Sequence, residues 1–429
     1  MTEANLEALY QKYLQCQYVS TDSRAAQNNT LFFALNGPHF KGATFAKSAL
    51  DNGALYAVID DATYATDRCI VVEDTLVALQ ELARYHRQKL QIPVIGITGS
   101  NGKTTTKELT NAVLSQKYNT LYTKGNLNNH IGVPLTVLSI RPEHEIAIVE
   151  MGANHINEIA ALCSIAQPTH GLITNIGKAH LEGFGSFEGV VQAKSELYQH
   201  LEKTNGTVFV NSQNELLMRQ AVQLPHKVLY PATGDFFHLS LVEAAPYVVY
   251  ASENGQRVTT QIIGEYNLEN IGAASCVGKY FEVPIDKINA AIAAYTPANN
   301  RSQVVQKGSN TILLDAYNAN PSSMKAAVTN FAKAPATHKV IILGDMFELG
   351  PDSAEEHQSL ADLAASLNFD QVILCGKAMQ VAAEKHPEFT FFENKTNLQN
   401  WLRENPIQNA QILVKGSRGM GLESLLEVL

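Results

Sequence analysis

Hydrophobic and polar positions fall into three successive patterns along the chain. Up to about residue 85, short β-forming runs at 31–35, 56–59 and 70–72 are separated by polar loops and by a helical stretch at 45–52. Residues 75–90 carry Leu76, Leu79 and Leu82 on one side, a helical spacing, and Ile92-Pro93 stops the run, because a residue before proline is pushed out of the helical region. Apolar strand, polar turn and helix then recur. Residues 94–97 lead into a glycine-rich turn and a helix starting near Lys103, 146–149 end at Glu150-Met151-Gly152, and 171–174 end at Asn175. Short, fully apolar strands separated by helices predict a parallel sheet covered on both faces. The pattern fades at Tyr295-Thr296-Pro297, where proline and the asparagines Asn299 and Asn300 mark a second linker. In the last part 311–314 end in Asp315, 339–343 in Gly344-Asp345, 371–374 in Cys375-Gly376 and 412–414 in Lys415-Gly416. Polar residues thus gather where strands end, the edge at which open α/β sheets bind ligands. Any one of them also reads as an ordinary strand-ending turn. The expected architecture is α/β in three domains, at 1–91, 92–297 and 298–429.

Composition narrows the classes. With 45% hydrophobic and 17% charged residues in 429, the chain has material for packed cores and no disorder signature. The net charge is −9 and no Lys/Arg run appears, which argues against a nucleic-acid partner. Five cysteines, never in a C-x-x-C pair, argue against a disulfide framework or zinc knuckle and fit a reducing compartment. The first residues lack the basic start and apolar core of a signal peptide, and no stretch approaches the roughly 18 apolar residues of a membrane span. A cytoplasmic protein without membrane insertion is expected.

The strongest local signal is Gly96-Ile97-Thr98-Gly99-Ser100-Asn101-Gly102-Lys103-Thr104-Thr105-Thr106, set between an apolar strand and a helix. Backbone N–H groups at such a helix start cradle phosphate oxygens, a lysine reaches the β- and γ-phosphates, and a following hydroxyl ligates Mg²⁺. The strict spacing of a phosphate loop asks for glycine at position 97, where this chain has isoleucine; the shorter Thr-Gly-x-x-Gly-Lys-Thr remains. Metal-assisted use of ATP also calls for hard ligands. Glu150, at a strand end, is a candidate and reads equally well as a helix N-terminal acid. His180 taken alone is an ordinary turn or core histidine, and Lys194 an ordinary solvated helix residue. The residues themselves reach an α/β nucleotide enzyme and no specific reaction.

Four motifs together resemble the Mur ligases: Thr98 to Thr106, Gly125-Asn126-Leu127-Asn128-Asn129-His130-Ile131-Gly132-Val133-Pro134, Glu150-Met151-Gly152, and Thr174-Asn175-Ile176-Gly177-Lys178-Ala179-His180-Leu181-Glu182. Asp22-Ser23-Arg24 and Leu31-Phe32-Phe33-Ala34-Leu35-Asn36-Gly37 resemble the family's N-terminal domain, which holds the UDP end of the substrate. In the last domain Asp315-Ala316-Tyr317-Asn318-Ala319-Asn320-Pro321-Ser322-Ser323-Met324, Leu343-Gly344-Asp345-Met346-Phe347-Glu348-Leu349-Gly350 with His357, and Val414-Lys415-Gly416-Ser417-Arg418 are similar to the D-alanyl-D-alanine-adding branch. The Asp-Asn-Pro-Arg signature of diaminopimelate-adding members is absent.

The resemblance implies an N-terminal mixed α/β UDP-binding domain, a central P-loop-type parallel-sheet ATPase domain and a C-terminal Rossmann-like domain. It implies an ATP- and Mg²⁺-dependent ligase joining D-alanyl-D-alanine to UDP-N-acetylmuramoyl-tripeptide through an acyl phosphate, acting as a monomer. Thr98, Gly99, Ser100, Asn101, Gly102, Lys103, Thr104 and Thr105 would then hold the ATP phosphates. Thr104 and Glu150 would bind magnesium, and His180 a second magnesium with Lys194, at a position carbamylated in the family. Asn267 and Asn270 match adenine contacts, and Arg301 and Asp315 match residues brought to ATP on closure. Ser23, Arg24, Asn128, Asn129, Asn318, Asn320 and Ser322 fall to the substrates. Lys103, Glu150, His180 and Lys194 carry the catalytic roles, and hinges are expected near Pro93 and Pro297. Three positions depart from the family pattern: Tyr266 where histidine is common, Ser302 where an apolar residue is frequent, and Asn157 where glycine is usual. Another ligase of the family, or a P-loop ATPase switch that makes no amide bond, are the alternatives.

Overall fold

The computed structural model describes residues 1–297 and 301–429; Asn299, Asn300 and the expected limit after residue 297 lie outside the described residues or at their edge. Three α/β domains follow one another, each around its own sheet. In the first, β1 (Tyr18–Ser20), β2 (Thr30–Phe33), β3 (Ala54–Ile59) and β4 (Cys69–Val71) pair in parallel, in that order. The central sheet is built from β5 (Val94–Thr98), β6 (Thr120–Tyr122), β7 (Ile146–Glu150), β8 (His170–Ile173), β9 (Thr207–Asn211) and β10 (His226–Tyr230). All its pairs are parallel and its order is β10-β9-β8-β5-β7-β6. The chain winds to one side of β5 through β6 and β7, then crosses to β8 on the other. That reversal opens a crevice at the carboxyl ends of β5, β7 and β8, where an open α/β sheet takes its ligand.

Strands β5 and β7 are buried at every position, which is why they read as unbroken apolar runs. A second small sheet was not legible in that pattern. Strands β11 (Leu239–Glu243), β12 (Val249–Ser252) and β13 (Arg257–Thr259) pair antiparallel. The outer two are partly exposed, so polar residues interrupt their apolar ones. The last domain holds β14 (Gln303–Lys307), β15 (Asn310–Asp315), β16 (Lys339–Gly344), β17 (Gln371–Cys375), β18 (Thr390–Phe392) and β19 (Gln411–Lys415) in the order β14-β15-β19-β16-β17-β18. Among the described residues only the β14–β15 pair in it is antiparallel.

The two joints between domains differ in kind. Across Pro93 the apolar core is continuous: Leu9, Tyr13, Leu79 and Leu82 pack in one cluster with Val133, Val137 and Leu162. The buried Arg87 guanidinium also donates to the carbonyls of Ala166 (3.0 Å), Leu90 (2.9 Å) and Gln167 (3.2 Å). The hinge expected near Pro93 is therefore a stiff joint, because opening it would expose core and strip a buried cation of its acceptors. Among the described residues the cores of the last domain are separate from those of the first two, with Ile263 of the central domain packed against one of them. Polar contacts cross that interface, Lys178–Glu356, His180–Glu348 and Asn320–Asn101 among them, the kind that permits domain motion.

Tyr13 pins the stiff joint. Its hydroxyl donates to Leu138 O (2.8 Å), receives the Arg141 guanidinium (2.7 Å) and lies 3.2 Å from His86 Nε2. Burial lowers the His86 pKa to about 4, so the ring is neutral at pH 7. The Tyr13→Phe variant should lose about 1–3 kcal/mol, the cost of stranding buried polar partners. Thermal unfolding checks this; a midpoint equal to wild type would show that the network contributes nothing.

Candidate active site

Strand β5 ends at Thr98, whose hydroxyl donates to Met151 O (2.8 Å) and ties the loop to the end of β7. The chain then turns through Gly99 (φ +142°) and Gly102 (φ +79°). A Cβ at Gly99 would lie 2.0 Å from Thr174 Oγ1, and one at Gly102 2.4 Å from Asn270 Oδ1, so only glycine fits either place. Residues after β8 brace the loop: Ser100 N–H donates to Asn175 O (2.9 Å), Asn101 N–H to Asn175 Oδ1 (3.0 Å) and the Thr174 hydroxyl to Asn101 O (2.5 Å). The helix Lys103–Leu114 begins without a side-chain cap, leaving its first N–H groups free for an anion. Lys103 Nζ rests on Gly99 O (2.7 Å) and Ser100 O (3.1 Å). Burial pulls its pKa down to about 8, with Glu150 opposing and Arg301 adding to the fall.

Beside the loop, the buried Glu150 carboxylate receives the Thr104 hydroxyl (3.2 Å) and Asn128 Nδ2 (2.8 Å) on Oε1. Its Oε2 has no hydrogen-bond partner among the described residues and lies 3.5 Å from Lys107 Nζ. Lys194 sits in the helix Phe187–Lys203, buried behind the cleft wall, donating to Ala153 O (3.2 Å) with the Phe184 ring 5.0 Å away. Burial, aided by the Lys103 charge, lowers its pKa to about 7. His180 adopts a left-handed conformation (φ +52°) and turns Nδ1 to the Glu348 carboxylate of the last domain. Among the described residues, no three His, Cys, Asp or Glu side chains gather around one point as a ready metal cage.

The last domain forms the opposite wall. Asp315 ends β15, and its Oδ2 pairs with Lys415 Nζ at 2.6 Å, from the end of neighbouring β19. Lys415 also donates to Asn318 O (3.2 Å). The Arg301 guanidinium stacks 3.8 Å over the Tyr317 ring, and its buried Nε has no acceptor among the described residues. Asn320 caps the helix Pro321–Ala332 through Ser323 N–H (2.9 Å) and donates to Asn101 Oδ1 (2.8 Å), across the domain interface. Asn270 accepts the Thr106 hydroxyl (2.9 Å) and donates to Asn267 Oδ1 (2.7 Å), fixing both asparagines against the loop.

These walls enclose a cleft of about 960 Å³. Of the sequence candidates it brings together Ser100, Asn101, Gly102, Lys103, Thr104, Thr105, Asn128, Asn129, Glu150, His180, Asn267, Asn270, Arg301, Asp315, Asn318 and Ser322. Ser23 and Arg24 are not part of it; Arg24 is 88% exposed and paired with its neighbour Asp22. Of the three departures, Asn157 has φ +73° with its N–H on Glu196 Oε1 (2.6 Å), a conformation that asparagine tolerates better than most residues. Tyr266 and Ser302 share a hydrogen bond.

Family models match the chain in order: Mur ligase family, catalytic domain, over residues 15–87; Mur ligase middle domain over 97–278; and Mur ligase, glutamate ligase domain, over 300–418. The UDP-N-acetylmuramoyl-tripeptide–D-alanyl-D-alanine ligase of Escherichia coli K12 is 36% identical over 422 residues, spanning 96% of this chain and 93% of its own length. The chain belongs to the Mur ligase family. The Bacillus subtilis 168 ligase of the same name is 35% identical over 96% of this chain and 92% of its own. Among solved structures, MurF from Acinetobacter baumannii superposes with a TM-score of 0.87 at 31% identity, covering 98% of this chain and 97% of its own. MurF from Thermotoga maritima in complex with ADP gives 0.84 at 27% identity, covering 97% of each chain. Two lysines were not singled out from sequence as site residues: Lys415, which lines this Mur ligase's cleft, and Lys107, buried behind the Glu150 carboxylate. Lys107 lies one helical turn beyond Lys103, on the face that meets Glu150, and Lys415 ends an apolar strand at the same edge as Asp315. The helical spacing from Lys103 and the strand-end position were the available signals.

Proposed function

We propose that this Mur ligase joins D-alanyl-D-alanine to the terminal carboxylate of UDP-N-acetylmuramoyl-tripeptide at the expense of ATP, in peptidoglycan synthesis. What carries the reading is similarity to D-alanyl-D-alanine-adding ligases over 96% of the chain, the C-terminal domain included. The cleft fits it: a phosphate loop on one wall faces an Asp315–Lys415 pair and a stacked arginine on the other.

A divalent cation fits beside the phosphate loop, because the Thr104 hydroxyl adjoins the buried Glu150 carboxylate, whose Oε2 faces Lys107 at 3.5 Å and has no hydrogen-bond partner among the described residues. Thr104 and Glu150 would hold Mg²⁺, with His180 and a carbamylated Lys194 as donors to a second ion. When bound, magnesium neutralises charge on the phosphate oxygens. The chain's own groups do the rest. Lys103 and the free N–H groups of the following helix seat the β- and γ-phosphates. The tripeptide carboxylate attacks the γ-phosphorus and ADP leaves, giving an acyl phosphate. The D-alanyl-D-alanine amine attacks the carbonyl carbon and loses a proton as inorganic phosphate departs. Positioning and preset charge drive both steps, and closure of the polar interface excludes water from the acyl phosphate.

Asn267 and Asn270 face the adenine; Asn128, Asn129, Asn318, Asn320 and Ser322 face the muramyl peptide and dipeptide; Ser23 and Arg24 serve the UDP end. Domain limits at 1–91, 92–297 and 298–429, a monomeric state and a cytoplasmic location complete the reading. Among the described residues no helix is long and apolar enough to cross a membrane. An acceptor panel tests it, with ATP, Mg²⁺ and UDP-muramyl-tripeptide offered D-alanyl-D-alanine or single amino acids. D-Alanyl-D-alanine alone should give a pentapeptide mass; a product with a single amino acid instead would place the chain elsewhere in the family.

A further inference from the structure

One short segment of the central domain grips the last domain at several points. Ile263 packs against its apolar core, Glu265 N–H donates to Asn330 Oδ1 (3.2 Å), and the Glu265 carboxylate pairs with Lys333 at 3.2 Å. Next along, Tyr266 and Ser302 share a hydrogen bond of 3.1 Å between phenol and side-chain hydroxyl. Room for the tyrosine ring comes from Gly264, at φ +96°, where a Cβ would lie 2.4 Å from Tyr266 Cε1.

Both ends of that hydrogen bond lead to the cleft. Tyr266 immediately precedes the helix Asn267–Tyr280, which carries the two asparagines set against the phosphate loop. The backbone N–H of Ser302 donates to Asp315 Oδ1 (3.1 Å), and Asp315 Oδ2 holds Lys415 at 2.6 Å. A continuous chain of contacts therefore runs from the nucleotide helix of one domain to the charged pair of the other. We infer that Tyr266 and Ser302 are a positioning pair, which sets the Asp315–Lys415 wall in register with the bound nucleotide each time the last domain closes. The inference rests on the ATP-binding part of the proposed function and not on which amine is added.

The two Glu265 contacts are exposed and of a kind that contributes little. The Tyr266–Ser302 bond is partly buried and sits nearest the cleft, so it controls fine placement. Removing either hydroxyl leaves the backbone and the ring in place. It lowers the population of the closed arrangement in which Asp315 and Lys415 meet the nucleotide, which is a kcat effect and not an ATP-affinity effect.

The test is a double-mutant cycle of Tyr266→Phe, Ser302→Ala and the pair, in the full-length protein. Each single variant should lower kcat about fivefold, the worth of one hydrogen bond, and the double variant should also lose about fivefold instead of about twenty-five. The KM for ATP should stay within about twofold of wild type. Small-angle scattering with ADP gives an arm independent of ligase chemistry, in which each variant should be less compact than wild type. Independent, multiplying losses, an effect confined to the KM for ATP, or unchanged compaction would each overturn the pairing. Should wild type fail to ligate D-alanyl-D-alanine, the functional reading falls and the scattering arm alone decides this one.

Discussion

Replacing Lys103 by alanine is expected to lower kcat by about 10²–10³-fold, the scale of losing one preset charge or donor at a developing anion. Among the described residues the side chain makes no ion pair; its ammonium rests on the carbonyls of Gly99 and Ser100. Those are acceptors that phosphate oxygens would replace. Lys103 lines the cleft and is no part of the apolar core, so its truncation opens no core cavity and leaves the Lys107–Glu150 pair intact. Burial holds the pKa near 8, and a bound polyphosphate stabilises the charged form. The loss should therefore appear in turnover with an unchanged unfolding midpoint. Steady-state kinetics beside thermal unfolding separate the two effects, and a loss below tenfold would show that the loop N–H groups suffice without the lysine.

The second large effect concerns Lys194. An ordinary lysine at pH 7 is a free amine in roughly one molecule in three thousand. Burial brings Lys194 to about 7, so about half the molecules carry the free amine there. Only that form takes up carbon dioxide, which turns a cation into an anionic oxygen donor. The sign follows: below pH 7 the amine protonates and carbamylation falls, so in buffer depleted of bicarbonate activity should fall as pH drops through about 7. The Lys194→Ala variant should lose about 10–100-fold, the range for disturbing a metal site, with partial recovery on adding a small carboxylate. Lys194→Arg is the decisive control. Full activity in that variant would mean that a positive charge is what the site needs, and the carbamate assignment would fall.

The local parts of this protein were legible in its sequence. The phosphate loop, the helix after it and the strand ends at Glu150 and Asp315 are set by nearest-neighbour chemistry, and they lie where the apolar pattern placed them. What escaped depends on contacts between distant positions. Tyr13, His86 and Arg141 meet across the first domain joint, so a proline that reads as a hinge lies in a stiff region. The β11–β13 sheet is partly exposed, and its alternating residues resemble loop. Tyr266 and Ser302 lie 36 positions apart, and nothing local to either announces the partner. Arg24 remains unaccounted for by the cleft, since its guanidinium is turned to Asp22 in the first domain.

The central claim is that ATP activates the tripeptide carboxylate for attack by the dipeptide amine, and oxygen tracing tests it most directly. UDP-muramyl-tripeptide labelled with ¹⁸O in its terminal carboxylate would be turned over with ATP, Mg²⁺ and D-alanyl-D-alanine, and the released phosphate analysed by mass. The account predicts one ¹⁸O in each phosphate, with a pentapeptide that has lost one label. Unlabelled phosphate, or phosphate released without the dipeptide and without a pentapeptide, would contradict it and leave a nucleotide hydrolase on a Mur ligase fold.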